Sequence, residues 1–248
     1  MQLKVIPQPG LRYWLAMATA SMCGANLGDI IPDVLNMKAA AGLSMLAMMF
    51  ALLLVVERAV SGGFELFYWI AILIVRAAAT NIADYAIDVA RLTYTGTAVV
   101  LTLILIAAVA LDRDREKSTA GSFLPSADGL YWFTMLMAGS LGTVIADGLG
   151  HAFGPVQTGV PISASMATLG VLAVMAARSR LGSAGIASYW IAVVAIRWWG
   201  TNVGDICAYF LSLPASTATT AAGLTVLLLV LRTRPARRNA SASSLPRA

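Results

Sequence analysis

Charged residues are what this sequence has least of. Asp, Glu, Lys and Arg make up 12% of its 248 residues, about half their share in a water-soluble domain. A chain so poor in charge has too little polar surface to cover itself. That excludes an ordinary soluble enzyme, a disordered chain and a nucleic-acid-binding module. Cysteine is scarce too: Cys23 and Cys207 lie inside apolar runs, so no disulfide framework is expected. The single histidine, His151, is too few for a haem held by two imidazoles. No phosphate-binding glycine loop, HExxH or GxSxG occurs, and an enzyme is not expected. What abounds is apolar: 59% of residues are hydrophobic and mean hydropathy is +0.79. The class that remains is a polytopic membrane protein with the lipid bilayer as its main partner. The formal net charge of +5 does not point to nucleic acid, because the basic residues gather at chain ends and short loops.

A bilayer-crossing helix takes about 17 to 25 mostly apolar residues. Eight segments meet that length, at 13–31, 41–57, 67–87, 94–111, 131–149, 160–177, 188–211 and 215–231. No removable signal peptide is expected, since no charged leader, short apolar core and cleavage site stand at the start. Lys4, Arg12, Arg58, Arg113, Arg115, Lys117, Arg178, Arg180, Arg232, Arg234, Arg237, Arg238 and Arg247 fall on one side of the spans, against Lys38 and Arg91 on the other. This bias puts both termini in the cytoplasm. Segment 235–248 is basic and rich in Ser and Ala, and reads as a disordered tail that anchors the topology.

The chain repeats itself. Tyr-Trp pairs occur at Tyr13-Trp14, Tyr68-Trp69, Tyr131-Trp132 and Tyr189-Trp190, and fifteen residues after each Trp stands an aspartate: Asp29, Asp84, Asp147 and Asp205. A small residue precedes each Asp, and each unit then has a short loop, a second apolar span and a basic end. Internal repeats fix architecture. The units are 11–63, 64–118, 127–182 and 185–234. With two spans apiece they share one orientation, which predicts parallel repeats about an axis normal to the membrane. The expected fold is all-α, with eight transmembrane helices in a pseudo-four-fold arrangement. These marks, with the segments Asn26-Leu27-Gly28-Asp29, Asn81-Ile82-Ala83-Asp84, Val144-Ile145-Ala146-Asp147 and Asn202-Val203-Gly204-Asp205, resemble a family of bacterial uncharacterised membrane-anchored proteins built from four tandem two-span repeats of unknown function, each with a characteristic Trp. The resemblance covers roughly residues 11–234 and implies the bacterial inner membrane. It carries no established activity. The third copy departs from it with Val144 in place of Asn.

Counting from each Asp, the residues four later are Asp33, Asp88, His151 and Tyr209; those four earlier are Ala25, Thr80, Thr143 and Thr201; those three earlier are Asn26, Asn81, Val144 and Asn202; and those eight earlier are Ser21, Arg76, Gly139 and Arg197. Positions three and four apart share a helix face, so each first span carries a polar stripe. At about 1.5 Å per residue, and with the Trp at the membrane interface, the arginines lie roughly 10 Å deep and the aspartates roughly 22 Å deep. An ionised Asp or Arg inside the bilayer costs at least about 2.5 kcal/mol on insertion scales, and marks a functional site by default. Four deep Asp against Arg76 and Arg197 leave a formal −2. Carboxylate, Asn and Thr oxygens suit a hard divalent cation, and an imidazole widens the choice of metal.

The expected function is therefore a small-cation transporter or exporter, for a divalent metal exchanged against protons and with no covalent cofactor. Asp29, Asp84, Asp147, Asp205, Asp33, Asp88, His151, Asn26, Asn81 and Asn202 are the candidate ligands. Arg76 and Arg197 set the charge, and Thr80, Thr143, Thr201 and Tyr209 support. Trp14, Trp69, Trp132 and Trp190 read as interface anchors. Gly24, Gly28, Gly142, Gly200 and Gly204 read as points of close helix approach, and Pro32 and Pro214 as helix ends. The eleven methionines read as core or lipid-facing filler. The rival readings are an ion channel with the aspartates as its filter, a non-transporting scaffold or regulator, and, third, a membrane enzyme with a pocket beside His151. Homo-oligomers are compatible with all of them.

Overall fold

The computed structural model describes residues 3–118, 127–181 and 185–231. Among them it contains helices and no strand: α1 (Leu11–Asp33), α2 (Ala39–Ala59), α3 (Glu65–Asp84), α4 (Tyr94–Ser118), α5 (Gly129–Ala152), α6 (Val156–Leu181), α7 (Ile186–Leu211) and α8 (Leu213–Val230). α3 runs on into a π-helical turn, Tyr85–Val89. Helix ends follow local chemistry. Asp128 accepts a hydrogen bond from the Tyr131 amide at the start of α5, the usual task of an N-cap carboxylate. Lys4 Nζ donates to the carbonyls of Glu57, Arg58 and Val60, satisfying orphan acceptors at the end of α2. Pro214 sits in the first turn of α8, where its missing N–H costs nothing, after Ser212 turns the chain at φ 73°. Segment 235–248, the expected basic tail, lies outside the described residues.

α2, α3, α4, α5, α6 and α8 are each long and apolar enough to cross a membrane. α1 and α7, with 23 and 26 residues, match them in length. Their apolar character is diluted by Asn26 and Asp29 in one and by Arg197, Asn202 and Asp205 in the other.

The helices sort into inner and outer sets. α1 packs on α3 and α7, and α5 packs on the same two, so α1, α3, α5 and α7 close a ring. The outer helices lean on the next inner helix around it: α2 on α3, α4 on α5, α6 on α7 and α8 on α1. Burial reflects this. Of the most apolar stretch, 67% is buried in α3 and 72% in α5, against 11% in α2 and 17% in α6. Leu52, Leu103, Leu169 and Leu229 of the outer helices are exposed, as expected of surfaces meant for hydrocarbon.

Small residues set the spacing of the ring. A Cβ added at Gly24 would lie 2.7 Å from the Cβ of Arg76, and one at Gly142 would lie 2.5 Å from the Cβ of Arg197. At Gly200 it would strike the side chain of Ser21, and at Gly139 it would lie 2.6 Å from Ala79. All four junctions thus use one rule. The residue eight before an Asp packs on the residue five before the Asp of the adjoining unit: Arg76 on Gly24, Gly139 on Ala79, Arg197 on Gly142, Ser21 on Gly200. Where the incoming residue is glycine, the receiving one grows to alanine. Close backbone approach through small residues substitutes for the hydrophobic drive that lipid does not supply.

Candidate functional site

On a helix, residues four apart form ridges inclined to the helix axis. The four inner helices present one such ridge each to the middle of the ring, and the ridge divides it into layers. Sixteen residues before the aspartates are Tyr13, Tyr68, Tyr131 and Tyr189; twelve before are Met17, Ile72, Met135 and Val193; then come the Ser21, Arg76, Gly139, Arg197 layer and the Ala25, Thr80, Thr143, Thr201 layer. Every residue of these four layers is buried.

The tyrosine layer is closed. Tyr13 and Tyr68 hydroxyls are 2.8 Å apart, Tyr68 and Tyr131 2.6 Å, Tyr131 and Tyr189 3.0 Å, and Tyr189 and Tyr13 2.5 Å. A phenol has one proton to donate, so a four-membered ring commits all four. Around it each Trp stands edge-on to its own Tyr, at 5.0 to 5.2 Å. Each also packs at 5.5 to 5.9 Å against a Tyr of the adjoining unit. Trp69, Trp132 and Trp190 are buried and Trp14 is half-buried under the Arg178 guanidinium, 5.0 Å from its centroid. The interface-anchor reading expects these rings to face lipid headgroups. The structure turns them inward, each packed against a tyrosine of an adjoining inner helix.

The two buried arginines point in opposite directions. Arg76 Nη1 donates to Thr80 Oγ1 at 2.6 Å and Thr143 Oγ1 at 3.0 Å, and Nη2 donates to Thr201 Oγ1 at 2.6 Å. One guanidinium thereby joins α3, α5 and α7 through the supporting threonines. The first unit, with Ala25, offers it nothing. Arg197 turns toward the tyrosines: Nη2 meets the Met135 sulfur at 3.3 Å, and the four tyrosines are its electrostatic neighbours. Neither arginine forms an ion pair among the described residues; Arg12 and Glu65, at 2.8 Å, tie the starts of α1 and α3.

Beyond the threonines stand Asp29, Asp84, Asp147 and Asp205, all half-buried. Each is within electrostatic reach of Arg76 and of at least one other carboxylate. Asp84 interacts with Asp29, Asp88 and Asp205; Asp147 with Asp84, Asp29 and Asp88; Asp205 with Asp147 and Asp29. They form a shared carboxylate mouth rather than a finished ligand cage. Among the described residues no group of three or more His, Cys, Asp or Glu side chains is spaced to hold a metal ion. Asp205 also lines a mostly apolar cavity of about 190 Å³ between α6 and the end of α7, with Val160, Pro161, Ile206, Tyr209 and Phe210.

The other expected ligands are dispersed. Asp33, Asp88, His151 and Tyr209 are exposed. The π-helical turn after Asp84 breaks the four-residue register that would have stacked Asp88 over it. His151 donates from Nδ1 to the Asp147 carbonyl at 2.8 Å and stacks on Tyr94 at 5.5 Å. Asn26 and Asn81 serve helix junctions, and Asn202 bonds within α7. Asn26 Nδ2 donates to Ser216 Oγ of α8 at 2.7 Å, Asn81 Nδ2 to the Gly28 and Ala77 carbonyls at 2.9 and 3.0 Å, and Asn202 Nδ2 to the Trp198 carbonyl at 3.1 Å.

A family described as a repeat of unknown function (DUF347) matches residues 67–117, a stretch that holds Tyr68, Trp69, Arg76 and Asp84 and runs from α3 through most of α4. The chain therefore carries an uncharacterised repeat. No curated protein and no solved structure matches it.

Proposed function

We propose that this protein is an eight-span carrier of a small cation, foremost a divalent metal ion exported in exchange for protons, in the bacterial inner membrane with both termini cytoplasmic. In this reading four copies of the two-span repeat stand about a pseudo-four-fold axis, with α1 and α7 crossing the membrane alongside the six more apolar helices. The observation that carries it is the placement of Asp29, Asp84, Asp147 and Asp205, all half-buried, one turn beyond the buried threonine layer on the four inner helices, each within reach of the charge of Arg76. Four carboxylates facing one accessible cation favour a positive guest. Their open spacing supports binding by contraction: an arriving cation draws them together and competes with Arg76 for their charge. Carboxylates release a metal when protonated, which supplies a means of exchange.

The hydrogen-bonded tyrosine ring and the buried layer beneath it favour a carrier over a permanently open channel, since they close the opposite end of the axis. The test is divalent-cation flux into proteoliposomes. The wild type transports, and Asp84→Asn and Asp205→Asn each lower flux by tenfold or more without loss of fold. Normal flux in both variants overturns the site. Single-channel currents overturn the carrier.

A further inference from the structure

The layer that holds the arginines is rich in donors and poor in acceptors. Four buried polar atoms in it have no hydrogen-bond partner: Ser21 Oγ, Arg76 Nε, Arg197 Nε and Arg197 Nη1. Three of these are N–H donors and the fourth is a hydroxyl. They belong to α1, α3 and α7, and Ser21, Arg76 and Arg197 are fully buried. A guanidinium keeps its charge in a protein interior, and an unpaired buried charge is among the most destabilising features a fold can carry.

The two arginines are not in the same position. Arg76 has three threonine hydroxyls and a field of carboxylates. Arg197 has one thioether, a weak acceptor. The tyrosine hydroxyls nearby spend their protons on one another, and among the described residues no carboxylate lies within ion-pair distance of Arg197. One positive charge on the axis is thus left without a counter-charge. The walls on the tyrosine side are Met17, Ile72, Met135 and Val193, and Gly139 fills the remaining corner of the layer. That is a soft apolar shell around unpartnered donors, and the one acceptor it gives Arg197 is a thioether.

We propose that the Ser21, Arg76 and Arg197 layer binds a small monovalent inorganic anion of halide size, resident beside Arg197 as its counter-ion. One uncompensated cation calls for one negative charge. Donors without acceptors select an ion that needs no proton of its own. Full burial of every residue in this layer and the next favours a monatomic guest over an oxyanion. The site is separate from the aspartate mouth and does not rest on what that mouth carries.

The test uses the full chain purified in detergent. Thermal stability is titrated with sodium chloride or bromide against sodium gluconate at constant ionic strength. A specific site gives saturable stabilisation. Arg197→Met abolishes the saturable part, and Ser21→Ala shifts its midpoint by roughly three- to tenfold, the worth of one hydrogen bond. Crystals of the wild type grown in bromide carry an anomalous peak against the Arg197 guanidinium, a readout that does not depend on any variant folding. The proposal fails if the wild type responds equally to halide and gluconate, or if the bromide peak lies elsewhere. It also fails if halide-free protein shows the red-shifted absorbance of a tyrosinate, which would make the tyrosine ring the counter-charge.

Discussion

Arg76 uses two of its nitrogens to hold three helices together, and the cost of that bond lies in what breaking it leaves behind. Removing one acceptor strands a buried, charged donor, whereas removing donor and acceptor together does not. Thr201→Val is therefore expected to destabilise the protein by about 1–3 kcal/mol. The double variant Arg76→Met with Thr201→Val is expected to be the more stable of the two, as thermal unfolding in detergent would show. Thr201 has its own fallback, since its hydroxyl also donates to the Arg197 carbonyl at 3.0 Å, so the penalty falls on the guanidinium. At this scale the sequence was informative where charge is rare. Arg76, Arg197 and the four aspartates are visible as polar intrusions in apolar runs. The Nδ2 groups of the expected asparagine ligands are tied to backbone or serine, while Asn26 Oδ1 and Asn202 Oδ1 are buried without a partner. His151 stands in the expected register and is bound to its own helix end.

Glycine placement governs the elements. Each inner helix is set against the next by a small residue five before the aspartate, so substitutions there and elsewhere diverge. Gly200→Ala is expected to cost about 1–3 kcal/mol, the usual range for overpacking, because its Cβ would collide with Ser21 of α1. Gly129→Ala, at the start of α5 with nothing within 4 Å of the added carbon, is expected to be neutral or to gain about 0.5–1 kcal/mol from reduced backbone freedom. Comparing the two melting temperatures checks whether the ring is held by close approach. The close-approach glycines were legible, and so was the polar stripe from eight residues before each aspartate up to the aspartate itself. The tyrosine layer was not. At about 100° per residue a straight helix carries a position sixteen residues away about 160° round its face, so periodicity gave no sign that residues beside the interface-anchor tryptophans reach the axis. Packing along the inclined four-residue ridge cancels that drift and brings Tyr13, Tyr68, Tyr131 and Tyr189 to the axis. Met17 and Met135 become axial by the same turn, where composition alone marked methionine as filler.

The whole molecule is a polar column sheathed in apolar helices, closed by phenols at one end and opened by carboxylates at the other. Repeat spacing made the helix order readable from the sequence. It could not tell that each outer helix leans more on the next inner helix than on its own partner, because that choice is made by shape at the junction and leaves no periodic mark. The column's two ends carry opposite demands, since the tyrosine hydroxyls are committed to one another while the aspartates gather in reach of one arginine. Cation binding at that mouth is the central claim, and thermal unfolding of the purified protein against a panel of divalent cations at neutral and acidic pH addresses it directly. One cation is expected to stabilise the wild type saturably at neutral pH and to lose most of that effect on acidification, with no stabilisation of an Asp84→Asn, Asp205→Asn double variant. Stabilisation by no cation at either pH, or stabilisation undiminished in the double variant, would contradict it.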